Sequence, residues 1–235
     1  MNAEVSSRHI SFVETGRSLP SREMLLHLSE QLDIPLRERN TLLVAAGYAP
    51  VYPATPLDDP AMGAAREAVE LVLAGHEPYP ALAIDRHWTL LTANRAVAPL
   101  LVGIAPELLA PPLNVLRLSL HPEGLAPRIT NLGQWRGHVL TRLQRQIEVS
   151  SDPALVDLHD ELRAYPADDG VEITDPARGV PLVIPLRLRT PSGPLSFIST
   201  TTVFGTAVDI TLAELAIESF FPADAATAEA LRRDG

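Results

Sequence analysis

Cysteine and lysine are both missing from the 235 residues. Without cysteine there is no disulfide, no thiolate zinc or iron–sulfur site and no cysteine nucleophile. Without lysine there is no phosphate-cradling Gly-x-x-x-x-Gly-Lys loop. Gly-x-Ser-x-Gly and His-Glu-x-x-His are absent too, and the seven histidines are scattered without ligand spacing. These gaps speak against an enzyme, so no catalytic residue, metal site or cofactor is expected. Long apolar runs are also lacking: no window approaches roughly 18 uncharged apolar residues, and no basic-then-apolar leader follows Met1. A soluble cytoplasmic protein with no membrane partner is expected.

What is present suffices for a core, with 46% apolar and 20% charged residues. A net charge of −10 opposes broad, nonspecific nucleic-acid binding but leaves room for a small local reader. Charge is uneven: seven arginines against two acids between Arg86 and Arg145, then nine acids against two arginines between Gln146 and Pro185. Solvated helix faces account for such runs. Pro50, Pro53, Pro56 and Pro60 cannot sit inside a helix and read as a stiff linker. The expected organisation is a small helical piece over 1–49, a proline-rich linker and connecting helix over 50–79, and a body over 80–235.

The helical piece opens with Ser6 as a cap, Ile10 and Val13 on one face and Gly16 as a stop. Ser21 caps a second helix with Leu25, Leu28 and Leu32 inward, and Pro35 starts a third that runs to Gly47. In the body, Asp59-Pro60 opens a helix that ends at Gly75. Ala81–Ile84 and Trp88–Thr92 form a hairpin, and Asn94 caps a helix through Leu101. Asn131 with Gln134 resembles a capping box before Trp135, Val139, Leu143 and Ile147. Asp152-Pro153 starts a helix with Leu155, Leu158, Leu162 and Tyr165 on one stripe. The tail alternates over Val180–Thr190, turns at Pro191–Pro194 and continues as a strand from Leu195 to Phe204. Ala207–Thr211 reads as a further strand, and Asp224 and Thr227 precede a last helix. Strands at both ends with helices between give an α+β body closing one antiparallel sheet.

Val5-Ser6-Ser7-Arg8-His9-Ile10-Ser11-Phe12-Val13-Glu14-Thr15-Gly16-Arg17, followed by Pro20-Ser21, resembles the recognition helix and next loop of the Xre-type helix-turn-helix family. With Ser6 as cap, Ser7, Arg8, Ser11 and Phe12 project away from the Ile10/Val13 seam. Arg8 could bridge guanine edges, Phe12 could touch a thymine methyl, and Thr15 and Arg17 could hold phosphates. The family normally places two helices before this one, whereas five residues precede Ser6 here. The chain is therefore read as N-terminally truncated, and weak DNA binding is expected of it.

The body resembles the C-terminal ligand-binding domain of MmyB-like transcriptional regulators, a PAS-like fold. The resemblance rests on Pro80-Ala81-Leu82 through Trp88, Ala93-Asn94-Arg95-Ala96, Asn114–Arg117, Trp135-Arg136, Glu161–Pro166, Ser199–Gly205, Asp209–Leu215 and Phe220–Asp224. It implies a transcription factor, working as a homodimer on paired half-sites, whose C-terminal domain senses a small apolar or fatty-acid-like ligand. In a PAS-like fold that ligand lies between the sheet's inner face and the helices. Leu82, Ile84, Trp88, Leu90, Phe197 and Val203 from strands, with Leu116 and Trp135 from helices, are candidates to line it, against the ordinary reading of large apolar side chains as plain core. Arg117 and His121 are candidates for a polar head, with a surface or interhelix hydrogen bond as the alternative. A rival reading is a small-molecule or lipid-binding protein that has lost DNA binding.

Overall fold

The computed structural model describes residues 11, 13, 15–166 and 183–234. Its contacts divide the chain into two compact units, one comprising 1–66 with 204–214 and the other 67–203 with 215–235.

In the first unit, Ser11 and Val13 are helical, and the backbone turns at Gly16 with φ 68°. That left-handed geometry is the one glycine adopts without steric penalty. Helix α1 (Arg22–Gln31) is capped by the Ser21 side chain, which accepts from the Met24 N–H. Helix α2 (Leu36–Ala45) follows Pro35. The proline-rich stretch is fastened into this unit. The Asn40 amide oxygen accepts from Val51 N and Tyr52 N, its nitrogen donates to Tyr52 O, and Pro53 O accepts from Ile210 N.

The second unit takes in most of α3 (Gly63–Gly75), with Val69 and Leu73 buried. Its five-stranded sheet runs β2 (Leu90–Ala93), β1 (Ala81–Ile84), β5 (Ala216–Pro222), β4 (Gly193–Val203), β3 (Leu186–Thr190). Every pairing is antiparallel. Helices α4 (Pro106–Leu109), α5 (Val115–Leu120), α6 (Leu132–Ser150) and α7 (Pro153–Ala164) lie between β2 and β3 in the chain. The main core joins the expected stripes: Trp135, Val139 and Leu143 of α6 and Leu155, Leu158 and Leu162 of α7 meet Leu186, Leu188, Leu195 and Phe197. The chain is thus α+β with an antiparallel sheet and flanking helices, as its alternation of periods implies.

Several local expectations are corrected. Asn131 does not cap α6 with its side chain. Its amide donates to Pro185 O at 2.8 Å and accepts from Arg187 N at 3.2 Å, because a buried amide satisfies more by stitching the entry to β3 than by capping. Ala207–Thr211 is not a strand; Asp209 accepts from Thr211 N at 2.8 Å and a short helix, α8 (Ile210–Glu214), begins there in the first unit. Strand β5, central in the sheet, carries no alternation visible in the sequence. The expected alternation over Val180–Thr190 is strand from Leu186, and residues 180–182 lie outside the described residues. The last helix, α9 (Ala225–Asp234), starts where Asp224 accepts from Thr227 N.

Asn94 is a buried amide that makes three hydrogen bonds to backbone groups. Its oxygen accepts from Ala81 N at 3.0 Å, and its nitrogen donates to Leu73 O at 3.1 Å and Tyr79 O at 2.8 Å. Instead of capping the 3₁₀ turn that follows, it ties α3 to the first strand. Asn94→Ala removes the partners of Ala81 N and Tyr79 O, while Leu73 O keeps His76 N at 3.2 Å, so a loss of about 1–3 kcal/mol is expected in urea unfolding.

Candidate functional site

Between the inner face of the sheet and helices α5 and α6 lies a cavity of about 100 Å³. One probe-sized volume of roughly 10–15 Å³ holds a water, so the void has room for a small ligand. Strand alternation builds the sheet wall. Leu82, Glu218 and Thr201 stand in one row across β1, β5 and β4, and Phe220, Phe197 and Leu188 share their side. Helical spacing builds the opposite wall, where Trp135, His138, Val139 and Arg142 of α6 form one stripe with Leu116 and Ser119 of α5 beside it.

Leu82, Trp88, Leu90, Leu116, Trp135 and Phe197 all line the cavity. Ile84 is buried in the core beside it without lining it. Val203 is 60% exposed and stands clear of the cavity, because the last residues of β4 are left uncovered. The two head-group candidates point elsewhere. Arg117 donates from Nε and Nη2 to the two carboxylate oxygens of Glu161, at 2.7 and 2.6 Å, tying α5 to α7. His121 packs edge-on against Tyr165 at 5.0 Å and accepts from Glu123 N.

The Arg117 hydrogen bonds hold the Glu161 carboxyl below the usual glutamate range; burial opposes this, and donation from the Tyr165 hydroxyl assists. Burial, then that same bond, pushes the Tyr165 phenol up to about 12. A carboxyl depressed in the folded state contributes stability that is present above its unfolded pKa and lost as pH falls through its folded value. The urea midpoint is therefore expected to drop in acid below the ordinary glutamate pKa, with a shallower drop in Glu161→Gln. The contribution is modest because both partners are partly exposed.

The polar groups that do face the cavity are ones the sequence reading passed over. Arg142 reaches Glu218 through Nη1 at 3.2 Å and Nη2 at 2.5 Å, and Nη2 also donates to the Thr201 hydroxyl at 2.7 Å. Thr201 in turn donates to Glu218 at 2.7 Å. The guanidinium lies 4.4 Å from the centre of the Trp88 ring, within range of a cation–π contact. Trp88 sits at φ 68°, a costly backbone region for a bulky side chain. It is held there by the Asp85 turn, whose carboxylate accepts from His87 N and Thr89 N, and by its indole N–H donating to Gln146 at 2.9 Å. Asp152, at the start of α7, binds His87 at 2.9 Å and Arg86 at 3.1 Å and fixes the same turn from outside. Further along the wall, the Trp135 indole N–H donates to the Ser119 hydroxyl at 2.9 Å, and its ring lies 5.6 Å from His138. Burial, then the Arg142 charge, lowers the His138 pKa, which favours the neutral imidazole.

Of the proposed DNA-facing residues, Ser7, Arg8 and Phe12 lie outside the described residues. Ser11, Thr15 and Arg17 are exposed, and Thr15 Oγ1 donates to Ser11 O at 2.7 Å across the last turn. Among the described residues no group of three acidic or histidine side chains could hold a metal ion, and no helix is long and apolar enough to cross a membrane.

The family model described as the MmyB-like transcription regulator ligand binding domain matches residues 65–233. No curated protein matches the chain.

Proposed function

The chain belongs to the family of MmyB-like transcription regulator ligand binding domains, and on that premise we propose that it is a regulator whose apolar cavity holds a small, mostly apolar or acyl ligand. The observation that carries this reading is the cavity itself. Apolar side chains from both the sheet and α5–α6 wall it, with a few polar groups convergent on it, which is the composition of small-molecule sites. A ligand that binds only the folded state stabilises it, by about 2.7 kcal/mol at a hundredfold excess over Kd. Protein purified gently and then delipidated is therefore expected to melt at a lower temperature, and to recover when an acyl compound is returned. Identical melting before and after delipidation, with no response to added acyl compounds, contradicts the proposal.

We propose further that Ser7, Arg8, Ser11, Phe12, Thr15 and Arg17 face duplex DNA and that the protein acts as a homodimer on paired half-sites. The exposure of Ser11, Thr15 and Arg17 beside the Gly16 turn supports this reading. Once a specific site has been selected from random duplexes, Arg8→Ala is expected to weaken it by about 1–3 kcal/mol and to relax one base position. Unchanged binding would remove Arg8 from the interface.

A further inference from the structure

The cavity's polar groups divide into two sets with different capacities for a ligand. In the first, every strong interaction is already taken. The Arg142 guanidinium engages both Glu218 oxygens and the Thr201 hydroxyl, and its face covers the Trp88 ring. Glu218 is 4% exposed on the central strand and depends on Arg142 and Thr201 for its compensation. A ligand carboxylate that took Arg142 would strand this buried carboxylate and place a second negative charge beside it. A ligand ammonium would meet Arg142 instead. The ion pair therefore sets the charge of this end of the cavity to zero and resists any ligand that changes it.

The second set is neutral and has capacity to spare. Ser119 accepts from Trp135 and keeps its own hydroxyl proton to give, and among the described residues the His138 ring has no hydrogen-bond partner. Both line the cavity, joined through Trp135, which bonds one and packs against the other. A hydroxyl or carbonyl group brought here by an apolar chain can both accept and donate at no cost in charge.

We propose that the cavity selects an uncharged amphiphile, with an aliphatic body and a hydroxyl or carbonyl head held by His138 and Ser119, over the carboxylate or ammonium of the same chain. This inference rests on the cavity being the ligand site. In it, Arg142 and Glu218 are specificity-determining residues that exclude charge rather than anchors that attract it. The lowered His138 basicity fits, since a neutral imidazole offers both a donor and an acceptor.

Calorimetric titration of the full chain near neutral pH with octanol, octylamine and octanoate tests it. In the native protein octanol is expected to bind about tenfold or more tighter than either charged compound. Glu218→Gln keeps hydrogen-bonding capacity toward Arg142 and Thr201 but removes the negative charge. The variant is expected to raise octanoate affinity about tenfold while changing octanol less than about threefold. Simple partitioning into an apolar void would favour octanol equally in both proteins, so an unchanged ratio in Glu218→Gln overturns the proposal. Octanoate matching or exceeding octanol in the native protein overturns it while leaving the cavity as the ligand site. If none of the three binds, the cavity reading and this inference fall together.

Discussion

Arg142→Met is expected to destabilise the second unit by about 2–3 kcal/mol, less than the roughly 3–5 kcal/mol that breaking a fully buried ion pair costs, because Arg142 itself is about one-third exposed. The loss comes from what remains rather than from what leaves. Glu218 is nearly inaccessible on the central strand, and without the guanidinium the Thr201 hydroxyl is the one hydrogen-bond donor left to it among the described residues. Glu218→Gln removes the charge at its source and should cost less than about 1 kcal/mol, since an amide can still bond both neighbours. Thermal melting should separate the two: at about 2–4 °C per kcal/mol for a chain of this size, Arg142→Met falls roughly 5–10 °C and Glu218→Gln only a few degrees. Equal shifts would mean that Glu218 reaches solvent when unpaired, and that the ion pair does not control the charge of the cavity.

Phe197→Ala is the other large effect, at about 3–5 kcal/mol. Phe197 is completely buried on β4, meets Phe220 edge-on at 6.1 Å, and lies in both the core and the cavity wall. Truncation removes the transfer free energy of the ring and extends an existing void that the rigid sheet cannot collapse to fill. An apolar void of that kind takes small apolar guests. Benzene is therefore expected to recover part of the lost melting temperature in Phe197→Ala and to do much less for the native protein. A small loss without benzene rescue would show that the helices close over the gap, which would remove the rigidity the ligand site depends on.

The elements that the sequence announced are those whose pattern is local. The Leu155, Leu158 and Leu162 stripe, the Ser21 and Asp152 caps and the β1–β2 hairpin each declare themselves within a few residues; the stripe and caps stand where expected, and the hairpin's second strand begins at Leu90 instead of Trp88, which the Asp85 turn holds at φ 68°. Strand β5 was illegible because Ala-Ile-Glu-Ser-Phe-Phe-Pro places Glu218 and Ser219 in the interior. Local reasoning assigns a glutamate to solvent, and only an arginine 76 residues upstream makes its burial tolerable. Ala207–Thr211 misled in the opposite way: β-branched Val208 and Thr211 suggested a strand, and the Asp209 cap decided for a helix.

The site was legible to the same degree and for the same reason. Its apolar walls followed from alternation and helical spacing at Leu82, Leu90, Leu116, Trp135 and Phe197, whereas Trp88 lines the cavity from a turn and not from a strand. Its polar groups did not, because Arg117 and His121 stand out by the apolar runs beside them, whereas Arg117 on α5 bonds Glu161 of α7 and His121, just after α5, packs on Tyr165 just after α7. A usable signal was present on α6. His138, Arg142 and Gln146 recur at four-residue intervals directly beside Trp135, Val139 and Leu143, a polar edge on a buried stripe rather than a polar face opposite it.

The central claim is that the cavity between the sheet and α5–α6 binds a small, mostly apolar molecule. Native mass spectrometry of the full chain, purified without detergent, tests it most directly. The claim predicts a population heavier than the bare chain by the mass of one small compound, present in the native protein and lost when Leu116→Trp fills the cavity. If the native chain carries no such mass and takes up none from a mixture of medium-chain alcohols, esters and acids, while Leu116→Trp behaves identically, the claim is contradicted.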